Sequence, residues 1–343
     1  MAKKIIIFLL ILVILIISGF LLFRLYSQSA GIISPLEQFR IKPLPIPKPL
    51  EKYSFNNLKE RGGQAGEIKI IKILESKDKF TSNLFSYQSQ GRNISGLANI
   101  PNSERELKFA ATKDTKFPVI VMLRGYVDRE IYETGVGTQH AGEYFSQNGF
   151  ITLAPDFLGY GESDMPPNNV WEERFLRLTS VMDLLASIKN LPKADSEKIG
   201  IWSHSNGGLT ALSILEISGG KYPTTLWAPV SQNFPYDILY YTYEYDDQGK
   251  ALRKSLADFE KEYDVNQYSF TEYLNWIKAP IQVHQGTSDE YIPLWWTNSL
   301  VEKLKKLDND ISLYIYPGAD HNLKGGWETV VQRDIQFFRK TLQ

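Results

Sequence analysis

Three residues that could carry out acyl transfer each follow a separate apolar segment of the chain. Ser205 follows the segment KIGIW after two intervening residues. Asp289 follows APIQVHQG, and His321 follows ISLYIYP. A serine hydroxyl is a weak nucleophile at neutral pH and needs a general base, which an acidic residue must hold in the correct tautomer. The pattern therefore predicts Ser205 as the nucleophile, His321 as the general base and Asp289 as the residue that orients the base.

The sequence around Ser205, SHSNGG, is typical of a tight turn between a strand and a helix. Such a turn forces the nucleophile into a strained backbone conformation, so the neighbouring side chains must be small. Ser203 and Gly207 lie two positions to either side of Ser205, and Gly208 adds further room. The helix that follows would also favour negative charge beside the serine oxygen.

A tetrahedral intermediate needs two hydrogen-bond donors for its oxyanion. We expect one donor to be the backbone N–H of Asn206, directly after the nucleophile. The second should come from the loop after FPVIVML, where Gly125 permits a close approach. Tyr126, the next residue, could supply either its backbone N–H or its phenolic O–H.

Two other histidines compete with His321 as the base. His204 is too close in sequence to turn onto the hydroxyl of its neighbour, and His284 lies within an expected strand, so we expect structural roles for both. The chain has four histidines and no cysteine. We therefore expect no metal site, no disulfide and no cofactor.

Length and charge narrow the class of protein further. With 343 residues, of which 43% are hydrophobic, the chain can bury a large core. Its formal net charge is -1, and it contains no long run of one sign. Because nucleic-acid-binding proteins carry a basic surface that displaces counterions from phosphates, no nucleic-acid partner is expected. The expected partner is a small molecule or short peptide with an acyl bond.

Hydrophobic periodicity predicts an α/β fold. Antiparallel strands come first, and apolar segments of strand length then alternate with helical segments, which predicts a mostly parallel sheet with helices on both faces. The expected strands are residues 67–74, 81–87, 93–100, 117–123, 149–156, 198–202, 223–229, 279–286 and 311–317. The expected helices are residues 171–190, 207–218, 294–307 and 326–341.

Residues 231–278 interrupt this alternation with helical, aromatic-rich sequence. An insertion at the carboxyl end of a parallel strand lies over the ligand crevice, so we predict a small cap; a surface excursion with a satellite core of its own is the alternative. The segment is acidic, which would suit the terminal amine of a peptide, although a solvated helical surface explains the same charges. Its carboxylates are Asp237, Glu244, Asp246, Asp247, Asp258, Glu260, Glu262, Asp264 and Glu272.

The N-terminal segment predicts attachment to a membrane. Residues 5–23 are apolar and are long enough to cross a bilayer core of roughly 30 Å. Lysines in residues 1–4 favour a cytoplasmic N-terminus, with the catalytic domain on the other side of the membrane. A cleaved signal peptide, with a poor site at Ser27-Gln28-Ser29, is the alternative. Residues 24–65 are expected to form a linker whose alternating prolines make an extended stalk, and residues 66–343 the catalytic domain.

From about residue 68 to 341 the sequence resembles the α/β-hydrolases, in particular the catalytic domain of prolyl-oligopeptidase-type (S9) serine peptidases and the dienelactone-hydrolase-like esterases. The matching motifs are SHSNGG, HQGTSDEYIP, GADHN and the glycine-rich turn APDFLGYGESD. The resemblance implies an α/β-hydrolase fold and a Ser-Asp-His triad at Ser205, Asp289 and His321. Two features depart from the pattern: Ser203 replaces the first glycine of the turn, and the N-terminal propeller of the oligopeptidases is absent.

Three functions remain open from the sequence. The first is a membrane-anchored serine hydrolase of the S9 peptidase kind, and the second is a carboxylesterase like the dienelactone hydrolases. The third is a non-catalytic, membrane-tethered binding protein that has kept the fold. The sequence predicts neither the substrate nor the oligomeric state.

Overall fold

The computed structural model describes residues 15–24, 48–102, 116–220 and 222–343. The chain divides into two units, Met1–Lys48 and Pro49–Gln343. In the first unit, residues 15–24 are helical. The predicted membrane segment 5–23 lies partly outside the described residues, as does most of the proline-rich stalk. Among the residues that are described, no helix has the length and apolar character needed to span a membrane.

A nine-stranded mixed sheet forms the centre of the unit Pro49–Gln343. In chain order its strands are β1 (Lys69–Ser76), β2 (Phe80–Ser89), β3 (Arg92–Pro101), β4 (Phe117–Leu123), β5 (Ile151–Pro155), β6 (Ala194–His204), β7 (Thr224–Trp227), β8 (Ile281–Gly286) and β9 (Ile311–Tyr316). Their spatial order is β1-β2-β3-β5-β4-β6-β7-β8-β9. The pairs β1–β2, β2–β3 and β3–β5 are antiparallel. All other neighbours are parallel.

Helices cover both faces of the sheet. They are α1 (Phe55–Arg61), α2 (Gln139–Gln147), α3 (Val170–Ser187), α4 (Asn206–Ser218), α5 (Tyr236–Leu239), α6 (Lys250–Glu260), α7 (Leu294–Lys306) and α8 (Trp327–Thr341). Helices α1, α3, α4 and α7 pack on the larger core, on one face. Helices α2 and α8 pack on the second core, on the other face. Because both faces are covered, β4 reads as an almost continuous apolar segment rather than an alternating one.

The sheet reverses its strand order beside β4. From β4 the chain moves to β5 on one side of β4, and it returns to β6 on the other side. The chain therefore leaves the neighbouring carboxyl ends of β4 and β6 towards opposite edges of the sheet. In open α/β sheets ligands bind at such a point.

The catalytic domain begins earlier than the sequence indicated. The linker was expected to extend to residue 65, but the compact unit starts at Pro49. Leu50, Tyr53, Phe55 and Leu58 are buried in its larger core. Sequence patterns did not reveal this earlier start of the domain because α1 has only seven residues. Its apolar side chains also follow a proline-rich stretch that dominates the local composition. Helix α2, between β4 and β5, was also not predicted.

The insertion at residues 231–278 forms a cap on the larger core rather than a satellite core of its own. It contains α5, α6 and several short 3-10 turns. Phe234 and Phe259 are buried and pack edge-to-face against each other. Both also contact Trp171 and Phe175 of α3. The aromatic residues of the cap therefore join it to the helix beneath.

Candidate active site

Ser205 lies between the end of β6 and the start of α4, on the tight turn that the sequence predicts. Its φ of 53° and ψ of -121° are unusual for a residue with a side chain. Three backbone hydrogen bonds hold this conformation: Ser205 N–H donates to Trp227 O at 2.9 Å, and Ser205 O accepts from Gly208 N at 2.9 Å and Val230 N at 3.0 Å. Surrounding structure of this kind is what allows a strained residue to persist.

The small residues beside Ser205 are required by close backbone contacts. A Cβ atom on Gly207 would lie 1.9 Å from the carbonyl oxygen of Leu123, at the end of β4. A Cβ atom on Gly208 would lie 2.5 Å from the Cβ of Pro229. Ser203 is fully buried, and its hydroxyl donates to Thr225 O at 3.3 Å. Helix α4 therefore starts almost in contact with the ends of β4 and β7.

Asp289 and His321 come together in the loops after β8 and β9. The Nδ1 atom of His321 lies 3.0 Å from each carboxylate oxygen of Asp289. The same carboxylate accepts hydrogen bonds from Tyr291 N at 2.9 Å, from Ile292 N at 2.8 Å and from Gln285 Nε2 at 2.8 Å. Burial by itself would raise the pKa of Asp289, but the hydrogen bond and charge of His321 and the two backbone amides hold that pKa below its usual value.

His321 lies beside His204, the residue directly before Ser205. The imidazole rings of His204 and His321 are 4.7 Å apart. The hydrogen bonds of the described residues do not include one between Ser205 Oγ and His321. Catalytic hydrogen bonds are often long in unliganded enzymes and shorten only when substrate binds.

His204 is partly buried, and it is neutral at neutral pH. Its Nε2 lies 3.0 Å from the carbonyl oxygen of His321. Because a carbonyl oxygen only accepts, Nε2 carries the proton. Burial, followed by the nearby His321, lowers the pKa of His204 to about 4. The side chain therefore ties the elbow to the His321 loop, as expected of a structural histidine.

The loop after β4 lies directly against Ser205. A Cβ atom on Gly125 would lie 3.0 Å from Ser205 Cβ and 3.5 Å from Ser205 Oγ. The Tyr126 hydroxyl donates to Asp128 at 2.6 Å, and this hydrogen bond, together with burial, raises the pKa of Tyr126 to about 12. The phenolic O–H is thus already engaged, which leaves the backbone N–H of Tyr126 as its available donor. Asn206 is the first residue of α4, where backbone amides have no acceptor within the helix.

A pocket of about 440 Å³ opens beside this loop, between α3, α4 and the cap. Its wall includes both Tyr126 and Asn206 but not Ser205 itself. The cap contributes only uncharged residues to the wall: Phe234, Ile238, Tyr245, Leu252, Tyr268 and Phe270. None of the nine carboxylates of the cap lines it.

His284 belongs to a buried polar network on the other face of the sheet. Its Nε2 lies 2.9 Å from Asp334 of α8, and its Nδ1 lies 2.8 Å from the hydroxyl of Tyr316. Asp334 also accepts from the indole N–H of Trp227 at 2.7 Å. The network joins α8 to β7, β8 and β9, which agrees with the structural role expected for His284. Within the described part of the chain, no group of three His, Asp or Glu residues is arranged to hold a metal ion.

Arg124, in the loop expected to supply the second oxyanion donor, fixes that loop in a way that sequence patterns did not indicate. Its buried guanidinium donates to Gly125 O at 2.9 Å and to Asp156 O at 3.0 Å. The Asp156 carboxylate in turn accepts from Ser95 Oγ at 2.5 Å and from Tyr132 OH at 2.7 Å. Burial raises the pKa of Asp156, and these hydrogen bonds partly oppose the rise. The glycine-rich turn after β5 therefore supports the loop that carries Gly125 and Tyr126.

A sheet of this order, with a strained serine after β6 and a paired Asp and His after β8 and β9, defines an α/β-hydrolase. The chain belongs to the prolyl oligopeptidase family (peptidase family S9), whose sequence model matches residues 137–343. Membership of this family makes it a serine hydrolase.

Individual relatives match only part of their own length. Dipeptidyl aminopeptidase A of Saccharomyces cerevisiae is 29% identical over 181 residues, which are 51% of this chain and 17% of that protein. The uncharacterized peptidase YtmA of Bacillus subtilis is 22% identical over 180 residues, which are 52% of this chain and 66% of that protein. The chain therefore spans less than two thirds of either relative.

Solved structures with low sequence identity share the fold. Acetyl xylan esterase 1 from Thermoanaerobacterium superimposes with a TM-score of 0.60 at 14% identity, over 85% of this chain and 95% of that one. Acylaminoacyl peptidase of Pyrococcus horikoshii gives a TM-score of 0.57 at 20% identity, over 77% of this chain and 42% of that one. At these identities the likeness concerns the fold and not the substrate.

Proposed function

We propose that this protein hydrolyses an acyl bond through a Ser205–His321–Asp289 triad and an acyl-enzyme. One observation carries the proposal: Ser205 has a strained backbone conformation at the end of β6, beside loops that hold an Asp289–His321 hydrogen-bonded pair. Strain of this kind costs on the order of 1–3 kcal/mol, and it clusters at sites where function requires it.

The proposed mechanism follows from the chemistry of these three side chains. His321 takes the proton of Ser205 as Oγ attacks the acyl carbonyl, and Asp289 stabilises the resulting imidazolium. His321 then gives that proton to the leaving group. Water repeats the sequence on the acyl-enzyme, which releases the acid and regenerates Ser205. Asp289 accepts from two backbone amides and Gln285, so its orientation towards His321 is fixed before substrate binds.

We assign the oxyanion hole to two backbone amides, those of Asn206 and Tyr126. Asn206 supplies an amide at the positive end of α4. Gly125 allows the loop after β4 to lie against Ser205, which brings the amide of the next residue close to the reacting carbon. We assign the amide and not the hydroxyl of Tyr126, because the hydroxyl donates to Asp128.

A peptide and an ester are both candidate substrates. The family, and the printed name of the yeast relative, a dipeptidyl aminopeptidase, favour a peptide. The carboxylesterase alternative is favoured by the cap, since none of its carboxylates lines the pocket, and Glu130, from the loop after β4, is the one wall carboxylate without an ion pair among the described residues. A panel of aminoacyl anilides and short-chain p-nitrophenyl esters separates the two, because turnover of the esters without cleavage of any anilide would rule out the peptidase.

We also propose that residues 5–23 anchor the chain in a membrane, with the N-terminus in the cytoplasm and the hydrolase domain on the opposite side. The support is the apolar composition of this segment and the lysines before it. Retention in the membrane pellet after an alkaline carbonate wash is the expected result, and release of the intact chain would contradict the anchor.

The nucleophile is tested by labelling with a fluorophosphonate, which reacts with an activated serine. The wild-type protein should be labelled at Ser205, and Ser205→Ala should abolish both the label and all turnover. Its melting temperature should remain near that of the wild type, because the hydroxyl makes no hydrogen bond with the described residues. Ser218→Ala is the matched control for labelling, since that hydroxyl donates to Ile214 O and accepts from Gly220 N at the far end of α4. Folded wild-type protein that takes up no label would favour the non-catalytic binding protein.

A further inference from the structure

The pocket beside Asn206 has walls of different chemical character. The cap side is aromatic and aliphatic, with Phe234 and Phe270 among its residues. The opposite side is cationic: Arg174 and Arg177 come from α3, and Arg129 from the loop after β4. A mostly apolar pocket with a few polar groups is the usual form of a small-molecule site. The cations therefore indicate which part of a ligand is held there.

Two of the three arginines already have anionic partners. Arg129 forms an ion pair with Glu173, and Arg174 forms one with Asp237. Asp237 is buried, and burial raises its pKa to about 6 even though Arg174 opposes the rise. These two pairs leave little net charge at their own positions.

Arg177 is different. Among the residues that the structure describes, none accepts a hydrogen bond from its guanidinium and none forms an ion pair with it. Its guanidinium lies over the ring of Phe157, 4.7 Å from the centroid. Burial, followed by the positive charge of Arg124, lowers the pKa of Arg177 to about 10, so the side chain is still a cation at neutral pH.

An unpaired guanidinium in a pocket wall is available to bind an anionic group of a ligand. Its N–H donors lose water when a ligand fills the pocket, and a ligand that offers no acceptor would leave them unsatisfied at a considerable cost. A carboxylate matches the planar fork of a guanidinium with two parallel hydrogen bonds. The pocket wall carries two carboxylates. Glu173 is paired with Arg129, and Glu130, which has no ion pair among the described residues, is exposed.

We infer that Arg177 binds a carboxylate of the substrate, so that the enzyme prefers anionic acyl substrates to neutral ones. The inference rests on the proposed function, and it deepens it by naming the charge of the substrate. The carboxylate could be at the far end of a dicarboxylic half-ester, on the acyl side, or at the C-terminus of a short peptide, on the leaving-group side. Both sources present the same group to Arg177.

The first experiment compares two esters of similar length, p-nitrophenyl hemiglutarate and p-nitrophenyl pentanoate. The wild-type protein should hydrolyse the half-ester with the higher kcat/KM. In Arg177→Gln, kcat/KM for the half-ester should fall at least about 30-fold, whereas kcat/KM for the pentanoate should change less than about threefold, as expected when one charge-assisted pair is lost. Arg177→Lys should recover part of the loss, since it keeps the charge but not the fork.

A parallel arm compares a free tripeptide with its C-terminal amide. Loss of the preference for the free acid in Arg177→Gln would place the carboxylate on the leaving-group side. Arg339→Gln, in α8, is the control for net charge, since its guanidinium contacts Asn148 instead of this pocket. Equal losses on charged and neutral substrates, or no preference for either anion in the wild type, would overturn the inference.

Failure of the proposed function gives a different result. In that case Ser205 takes up no fluorophosphonate and neither ester is hydrolysed, whatever the residue at position 177. Glutarate binding still tests Arg177 under those conditions. Glutarate should raise the melting temperature of the wild type but not of Arg177→Gln, and an equal shift in both proteins would contradict the inference.

Discussion

Ser205 and His204 are neighbours in sequence, but their side chains have different roles. Ser205 sits on a turn whose positive φ directs its side chain out of the strand, towards the loop after β4. His204 is partly buried and binds the backbone of His321 through Nε2. One side chain is therefore available for chemistry, and the other holds the base's loop in place. The sequence motif by itself does not distinguish these roles.

The lowered pKa of His204 predicts that the fold is sensitive to acid. Its pKa is about 4 in the folded protein, against roughly 6.5 in an unfolded chain. Between these values the unfolded chain binds a proton that the folded protein does not, so stability falls as the pH is lowered. The contribution lost by pH 4 is about 3 kcal/mol, and it is fully present above pH 7.

Urea unfolding of the wild type and of His204→Gln at pH 7, 5.5 and 4 measures this effect. The glutamine variant can still donate to His321 O but has no proton to gain. Its free energy of unfolding should therefore decline less steeply with acid than that of the wild type. Parallel declines in the two proteins would show that His204 does not titrate in this range.

At the scale of elements, the site depends on how closely α4 approaches the sheet. The first turn of α4 lies against the carbonyl of Leu123, with no space for a side chain at Gly207. This contact brings the start of α4, and so the amide of Asn206, beside the end of β4. The same closeness brings Gly125 against Ser205. Glycine is used here for its size, since Gly207 has an ordinary helical φ.

Gly207→Ala should therefore be strongly destabilising although alanine is the better helix former. Its Cβ would lie 1.9 Å from a backbone oxygen, so α4 or β4 must move, at a cost of about 3 kcal/mol or more. Gly66→Ala is the matched control, because the nearest atom to its added Cβ would be Ser187 Oγ at 3.8 Å. Thermal unfolding distinguishes them: similar melting temperatures for the two variants would show that the helix adjusts at little cost.

At the scale of the whole molecule, residues 49–61 connect the cap to the core. The Leu50 backbone accepts a hydrogen bond from Tyr268 OH and donates one to Tyr263 OH, each at 3.2 Å. Phe55 stacks on Tyr273 at 5.1 Å. On the core side, Arg61 forms an ion pair with the buried Asp183 at 2.8 Å. The segment is therefore a structural part of the enzyme and not a spacer.

A chain shortened to begin at residue 48 should fold, whereas one shortened to begin at residue 66 should not. The second loses Leu50, Tyr53, Phe55 and Leu58 from the core, worth about 6–10 kcal/mol of burial. This loss of free energy is comparable with the whole free energy of unfolding of a typical domain. It also leaves Asp183 buried without its arginine. Circular dichroism and gel filtration measure the outcome, and a stable, monomeric chain beginning at residue 66 would contradict it.

The sequence by itself determined the alternation of strands and helices and the motifs around Ser205, Asp289 and His321. These features are local: strand and helix periods, and glycines at turns, are visible within a few residues. The structure agrees with the predicted strands to within a few residues and joins Asp289 to His321 by a hydrogen bond. Helix α1 was missed because its stability comes from packing against the cap and α4 and not from its own pattern.

Only the tertiary structure decided which charged residues face the ligand pocket. The sequence directed attention to the acidic cap, yet its carboxylates lie outside the pocket and Asp237 is paired with Arg174. Arg177, in contrast, is one of several charged residues on α3 and gives no signal in the sequence. Whether a charge is neutralised depends on partners brought in from distant parts of the chain, which local sequence patterns do not encode. The same physical reason separates Ser205, whose turn is encoded locally, from Arg177, whose lack of a partner is a property of the folded molecule alone.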